Sequence, residues 1–264
     1  MSYVPIELSG TPREIGLRRG RVYRPLIRHI AETILPQIQG AKKEEHLKIA
    51  RRIEEVLAST YPELVDELKG TAEGSGISYE DMLMLNAWWE HPIQSSEGFF
   101  HCTNVALTSS NIGPILGSNR DIGRNPHCTM MVMKPEKGYS FVLTNRADQV
   151  GGARAMNEKG LCIGSSNLKV TDKGWGFPRL ALMRLAGQYC SNVEEALKLF
   201  RKYKEGYANT FNILLLDTTG NAAVAELTNT KMAVRRPKND GIGCTNHYVT
   251  DELKEFEVGQ TWMF

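Results

Sequence analysis

The sequence predicts an α+β protein in which a helical segment of roughly a hundred residues precedes a layered sheet body. Helix-start signals and apolar residues at helical spacing fill the first part of the chain. From about residue 100, short apolar runs separated by turn residues take over, and two further helical patterns interrupt them.

The helical part opens at Thr11-Pro12-Arg13-Glu14, a capping box with proline at the first helical position. Ile15, Leu17, Val22, Ile27 and Ile30 follow at mixed helical spacings, and Pro25 predicts a kink. A charged helix is read in KKEEHLKIARRIEEVL, then YPELVDELKGTAEG, stopping at glycine. Ser78-Tyr79-Glu80-Asp81 starts another helix into MLMLNAWW. The polar stretch EHPIQSSEGFF is the junction. Strands are then read in TNVALTS, PILGSN, TMMVMKP, YSFVLTN, LCIGSSNL, TFNILLLD, AAVAELT and KMAVRRP. Helices are read in PRLALMRLAGQYC and in SNVEEALKLFRKY with an S-x-x-E start. The continuous run ILLLD predicts a strand buried on both faces.

The 264 residues are 41% hydrophobic and 23% charged, as in ordinary globular proteins. No apolar run approaches the ~18 residues of a membrane span, and the N-terminus does not read as a signal peptide. A net charge of +2 gives no reason to expect nucleic acid or a membrane surface as partner. Five widely spaced cysteines without a CxxC pair argue against a zinc site or disulfide framework and suit a reducing cytoplasm. At most one of them is expected to do chemistry.

Cys102 opens the strand HCTNVAL. By composition it reads first as a small buried residue. Pairing with His127 or His247 would be the papain-like alternative, but no CGSCW-like signature surrounds it. A third solution needs no histidine. Cutting the bond before Cys102 would turn its nitrogen into an amine with a pKa of ~7.7–8, a base beside the thiol.

HCTNVAL followed by GSNRD resembles the start of the mature chain in the choloylglycine hydrolase and penicillin acyltransferase group of N-terminal-nucleophile hydrolases. ELSGTPREIGLRRG, AMNEKGLCIGSSNL, FNILLLDTTGNAAVAE and GCTNHY are similar to further segments of that family in the same order, from about Leu8 to Tyr248. The resemblance implies a four-layer αββα catalytic domain over 102–264 behind a helical pro-region or α subunit over 1–101. It implies cleavage between His101 and Cys102, with both fragments staying associated. Cys102 would be the nucleophile, Asp121 the holder of its amine, and Asn246 the oxyanion donor. Asn167 would face the same pocket. The implied activity is hydrolysis or acyl transfer at a non-peptide amide C–N bond, with acyl-coenzyme A a co-substrate for transfer and no cofactor or metal.

Asn157-Glu158-Lys159-Gly160 reads as a hairpin turn. Arginines 18, 19, 21, 24 and 28 read as a solvated helix face, with coenzyme A phosphates the alternative partner. His101 stands where family precursors often carry glycine, and no S-x-x-R arginine follows Asn246 before Phe264. The sequence is therefore expected to be truncated, with Arg120 or Arg154 as candidates for the missing role. A self-processing peptidase without a small-molecule substrate and a silent binding protein of the same fold remain open as other readings.

Overall fold

Alternating burial along the strand runs condenses them into two sheets. The computed structural model describes residues 5–38, 40–88, 101–121, 128–172, 174, 176–203 and 210–258. The larger sheet has eight strands: β1 (Ile6–Gly10), β4 (Cys128–Pro135), β5 (Phe141–Arg146), β6 (Arg154–Asn157), β7 (Cys162–Asn167), β8 (Phe211–Leu216), β9 (Ala222–Leu227) and β10 (Met232–Arg235), in that spatial order. The smaller runs β11 (Gly241–Cys244), β2 (His101–Leu107), β3 (Ile115–Asp121). Every neighbouring pair is antiparallel except β1 with β4, which is parallel.

The run ILLL explains the layering. On β8, Leu214 and Leu216 meet Ala106 and Ile242 of the small sheet, while Ile213 and Leu215 join the core on the opposite face. That opposite face is covered by α6 (Arg179–Tyr189) and α7 (Val193–Lys202). The chain is thus α+β, with two sheets face to face and helices outside the larger. The small sheet's outer face is open at Val105, Leu107 and Ile115, and the fourth layer of the expected sandwich is not found among the described residues.

The N-terminal part holds α1 (Pro12–Val22), α2 (Arg24–Ile34), α3 (Ala41–Thr60), α4 (Pro62–Ser75) and α5 (Tyr79–Ala87). Thr11 forms the predicted capping box, and Ser78 caps α5. Other expectations change. The chain breaks at Tyr23 between two helices, where a kink is predicted. α4 runs through Gly70 and Gly74 and ends on Gly76, whose φ of 70° suits a residue without Cβ. Asn192, not Ser191, caps α7, its Oδ1 accepting from the Glu195 nitrogen. The N-terminal part is also not purely helical, because β1 joins the edge of the large sheet.

Gly70 and Gly74 sit inside α4 for packing. α1 lies so close that a Cβ on Gly16 would be 2.0 Å from the Glu67 carbonyl oxygen, and one on Gly74 would be 2.3 Å from that of Leu17. The arginine run is likewise no solvated face throughout. Arg19 is fully buried, with Nη2 2.5 Å from Glu67, and Glu67 also binds Arg184 of α6 at 3.1 Å. Arg24 and Arg28 donate to the carbonyls of Gly74 and Ser75 at the end of α4, where a cation suits the helix dipole. No helix among the described residues is long and apolar enough to cross a membrane.

Candidate active site

Cys102 is the second residue of β2 and faces inward, as the alternating burial of that strand requires. Its register partner is Arg120, followed on the same face by Asn104 opposite Ser118 and Ala106 opposite Leu116. Here the two sheets part at one end of the sandwich. A cavity of about 40 Å³ opens between them, lined by Cys102 and Arg120 from the small sheet and by Arg154, Asn167 and Phe211 from the large one, with Gln149 beside them.

The backbone nitrogen of Cys102 donates to Asn246 Oδ1 at 2.6 Å. Asn246 Nδ2 donates to the Asn167 carbonyl at 2.6 Å, so the two neighbours fix which way the amide points. Asn246 stands just past β11 in a turn clamped from β8. The buried Asn212 side chain donates to the carbonyls on either side of it, those of Thr245 (3.0 Å) and His247 (2.7 Å).

This places the expected residues differently. Asn246 is brought to Cys102, but it holds the nitrogen where an oxyanion donor was predicted. Asp121, expected at that nitrogen, pairs with His101 in register and so lies on the face opposite Cys102 and Arg120. It is exposed and accepts from Asn119 Nδ2 at 3.0 and 3.2 Å. Period-two alternation alone excludes it from the thiol's side. Asn167 does line the cavity, and its buried Oδ1 has no hydrogen-bond partner. His101 lies exposed on β2. His247 Nδ1 meets Thr245 Oγ1 at 2.7 Å, and His127 and the junction stretch 89–100 lie outside the described residues. Asn157 serves the turn, its Oδ1 accepting from Lys159 and Leu161 nitrogens at 3.1 and 3.0 Å.

Arg154 lines the cavity beside the thiol. It donates to Ser118 Oγ (2.6 Å) and the Asn119 carbonyl (3.1 Å). Ser118 in turn donates to Asn104 Oδ1, and Asn104 to Ser166 Oγ, so a buried polar chain between the sheets orients the guanidinium. Gly164 makes room for it, since a Cβ there would lie 2.6 Å from Asn104 Oδ1. Burial first, and then the like charge of Arg120, lower the Arg154 pKa, while contact with the Cys102 thiol works the other way. Arg120 itself reaches Cys128 Sγ at 3.4 Å. Among the described residues, no carboxylate forms an ion pair with either arginine.

The remaining thiols divide by environment. Burial raises Cys162 and pushes Cys190 and Cys244 up to about 12, leaving them scarcely any thiolate at neutral pH. Asn212 and Gln149 escaped the sequence reading. The signal for Asn212 was present: a lone amide in an otherwise apolar, doubly buried strand must find partners.

Residues 108–261, more than half of the chain, match the family model described as acyl-coenzyme A:6-aminopenicillanic acid acyl-transferase; the match begins just past β2. The 40 kDa form of that acyltransferase from Emericella nidulans is 28% identical over 119 residues, which is 44% of this chain and 33% of the relative. A variant of conjugated bile acid hydrolase from Clostridium perfringens aligns at 18% identity and TM-score 0.46, covering 57% of this chain and 55% of that one. Penicillin V acylase from Agrobacterium tumefaciens aligns at 20% identity and TM-score 0.33, covering 57% and 46%. The chain thus spans about a third of the curated relative and about half of each solved structure. With more than half of its length matched by that family model, the chain belongs to the acyl-coenzyme A:6-aminopenicillanic acid acyl-transferase family.

Proposed function

We propose that this protein is a self-processing cysteine N-terminal-nucleophile enzyme that hydrolyses, or transfers the acyl group of, non-peptide amides. The observation that carries the reading is the 2.6 Å bond from the Cys102 nitrogen to Asn246 Oδ1. A strand nitrogen needs no side chain brought from the far end of the sequence. An amine released at that position has an acceptor already in place.

Processing runs by attack of the Cys102 thiol on the His101 carbonyl carbon, shift of the acyl group from nitrogen to sulfur, and hydrolysis of the thioester. One water is consumed, and a carboxylate on His101 and an amine on Cys102 result. The amine then takes the thiol proton, and the sulfur attacks the substrate carbonyl. Asn246 orients the resulting ammonium. Asn167, whose side chain lines the cavity, would donate its amide to the oxyanion, and Arg154 favours the anionic sulfur. The leaving amine takes the proton, and water or a second amine resolves the acyl-thioester. If the physiological reaction is transfer, an acyl-coenzyme A is the donor, as the name of the Emericella relative implies for that protein.

The test combines mass and turnover. Intact mass should give two fragments divided between His101 and Cys102, and Cys102→Ala a single full-length chain. A panel of fluorogenic acyl amides should be turned over by the wild type, with loss on iodoacetamide treatment. A wild-type chain that stays whole yet turns over an amide would exclude the free-amine mechanism.

A further inference from the structure

A second cavity lies behind the first. It measures about 30 Å³ and is walled by Ala50, Ile53 and Leu57 of α3, Leu83 of α5, and Val150 and Ala181 of the sheet body. Gln149 and Leu180 line both cavities, so one layer of side chains separates this chamber from Cys102. The chamber is mostly apolar, and its polar members are occupied elsewhere. Glu54 takes the Tyr79 hydroxyl at 2.5 Å and Arg51 at 2.9 Å. Asn86 donates to the Met82 and Asp148 carbonyls and accepts from the Val150 nitrogen. Gln149 differs: its side chain is buried, and its Nε2 has no hydrogen-bond partner.

An apolar chamber bordered by one unpartnered buried donor suits a ligand with an apolar tail and an oxygen at its head. We infer that this chamber takes the tail of the substrate's acyl group, which enters between the Gln149 and Leu180 side chains with Gln149 Nε2 meeting its oxygen; the inference rests on Cys102 as the acylated residue. The N-terminal segment then stays in the working enzyme as the wall that selects the acyl chain. Size sets the class. A water's share of the liquid is about 30 Å³, so the two cavities, about 30 and 40 Å³, together hold a tail of roughly two to three carbons beyond the carbonyl.

The test is a series of straight-chain acyl p-nitroanilides from acetyl to octanoyl, measured with the processed protein as it is isolated. Wild type should show its highest kcat/KM near the butyryl compound. Ala50→Leu fills the chamber and should lower kcat/KM for the longer members about tenfold per added methylene, leaving the acetyl compound within about twofold. Ile53→Ala enlarges it and should move the optimum to a longer chain. Identical profiles in both folded variants would overturn the inference while leaving the Cys102 mechanism standing. If wild type turns over no anilide, that mechanism is in question and binding decides instead. Butyramide titrated calorimetrically into the wild-type protein should bind, and Ala50→Leu should abolish the heat; no binding to the wild type overturns the inference.

Discussion

Two groups of arginines are drawn into the interior of this protein, and they are treated in opposite ways. Arg19 and Arg184 converge on Glu67, and Arg184 also stacks over the Phe141 ring at 4.2 Å. Arg120 and Arg154 converge on Cys102 with no carboxylate partner among the described residues. The first set shares one buried carboxylate between two cations and ties α1 and α4 to α6. The second leaves positive charge facing a thiol that becomes negative when it reacts. Residue type alone does not separate a brace from a site. The presence of a balancing carboxylate does.

The comparison breaks most visibly if the thiol itself is removed. Cys102→Ala should abolish amide turnover, by about 10³-fold or more, with the thermal midpoint little changed. A folded Cys102→Ala protein that keeps its activity would mean that the unbalanced arginines serve some other group. Glu67→Ala strikes the braced set. Leaving two buried cations unpaired should cost about 3–5 kcal/mol in a urea titration, while kcat of the folded fraction stays within about twofold. A stability loss under 1 kcal/mol would show that the Arg19–Glu67–Arg184 contact holds nothing. Arg154→Met should do the reverse: kcat/KM falls about a hundredfold, and stability moves by about 1 kcal/mol or less.

The folding contribution of the inert thiols gives the finest contrast. The folded pKa of Cys244 is raised to about 12, above the ~8.5 of an unfolded thiol. Its contribution is therefore whole below pH ~8.5 and lost as pH climbs toward 12, at no more than about 1.4 kcal/mol per pH unit. Stability measured from pH 8 to 10 should fall less steeply in Cys244→Ala than in wild type. Equal slopes would mean that Cys244 is not held protonated by burial.

Much of the framework could be read from the sequence because it follows local rules. The Thr11 capping box, the doubly buried β8 and the turn at Gly160, with φ of 82°, each depend on a few adjacent residues. What escaped depends on distant partners. β6 and β11 are four residues each, and β11 contains two glycines, so neither carries a strand signal without the neighbours that pair with it. The matched glycines of α1 and α4 read as helix breakers in isolation and become intelligible only when the helices touch. At the site, Cys102 stood out as a polar interruption, and Asn246 and Asn167 lie beside it. Asp121 stands one residue past Arg120 and so on the other face of β3, a placement that needs the register with β2 to be known. Arg19 failed because its partner, Glu67, lies beyond two intervening helices in sequence.

The parallel pairing of β1 with β4 has a consequence for solution behaviour. Without residues Ile6–Gly10, β4 would be the free margin of the large sheet, and its Thr-Met-Met-Val-Met run would present unpaired backbone groups on an apolar strand. Such a margin recruits the same margin of another molecule. The opposite margin needs no cover, because β10 leads into Arg235, Arg236 and Pro237, charged and proline residues that discourage pairing. Ile6–Gly10 thus act as an internal guard against self-association, covering the apolar run of β4 that precedes its own Lys134 and Pro135.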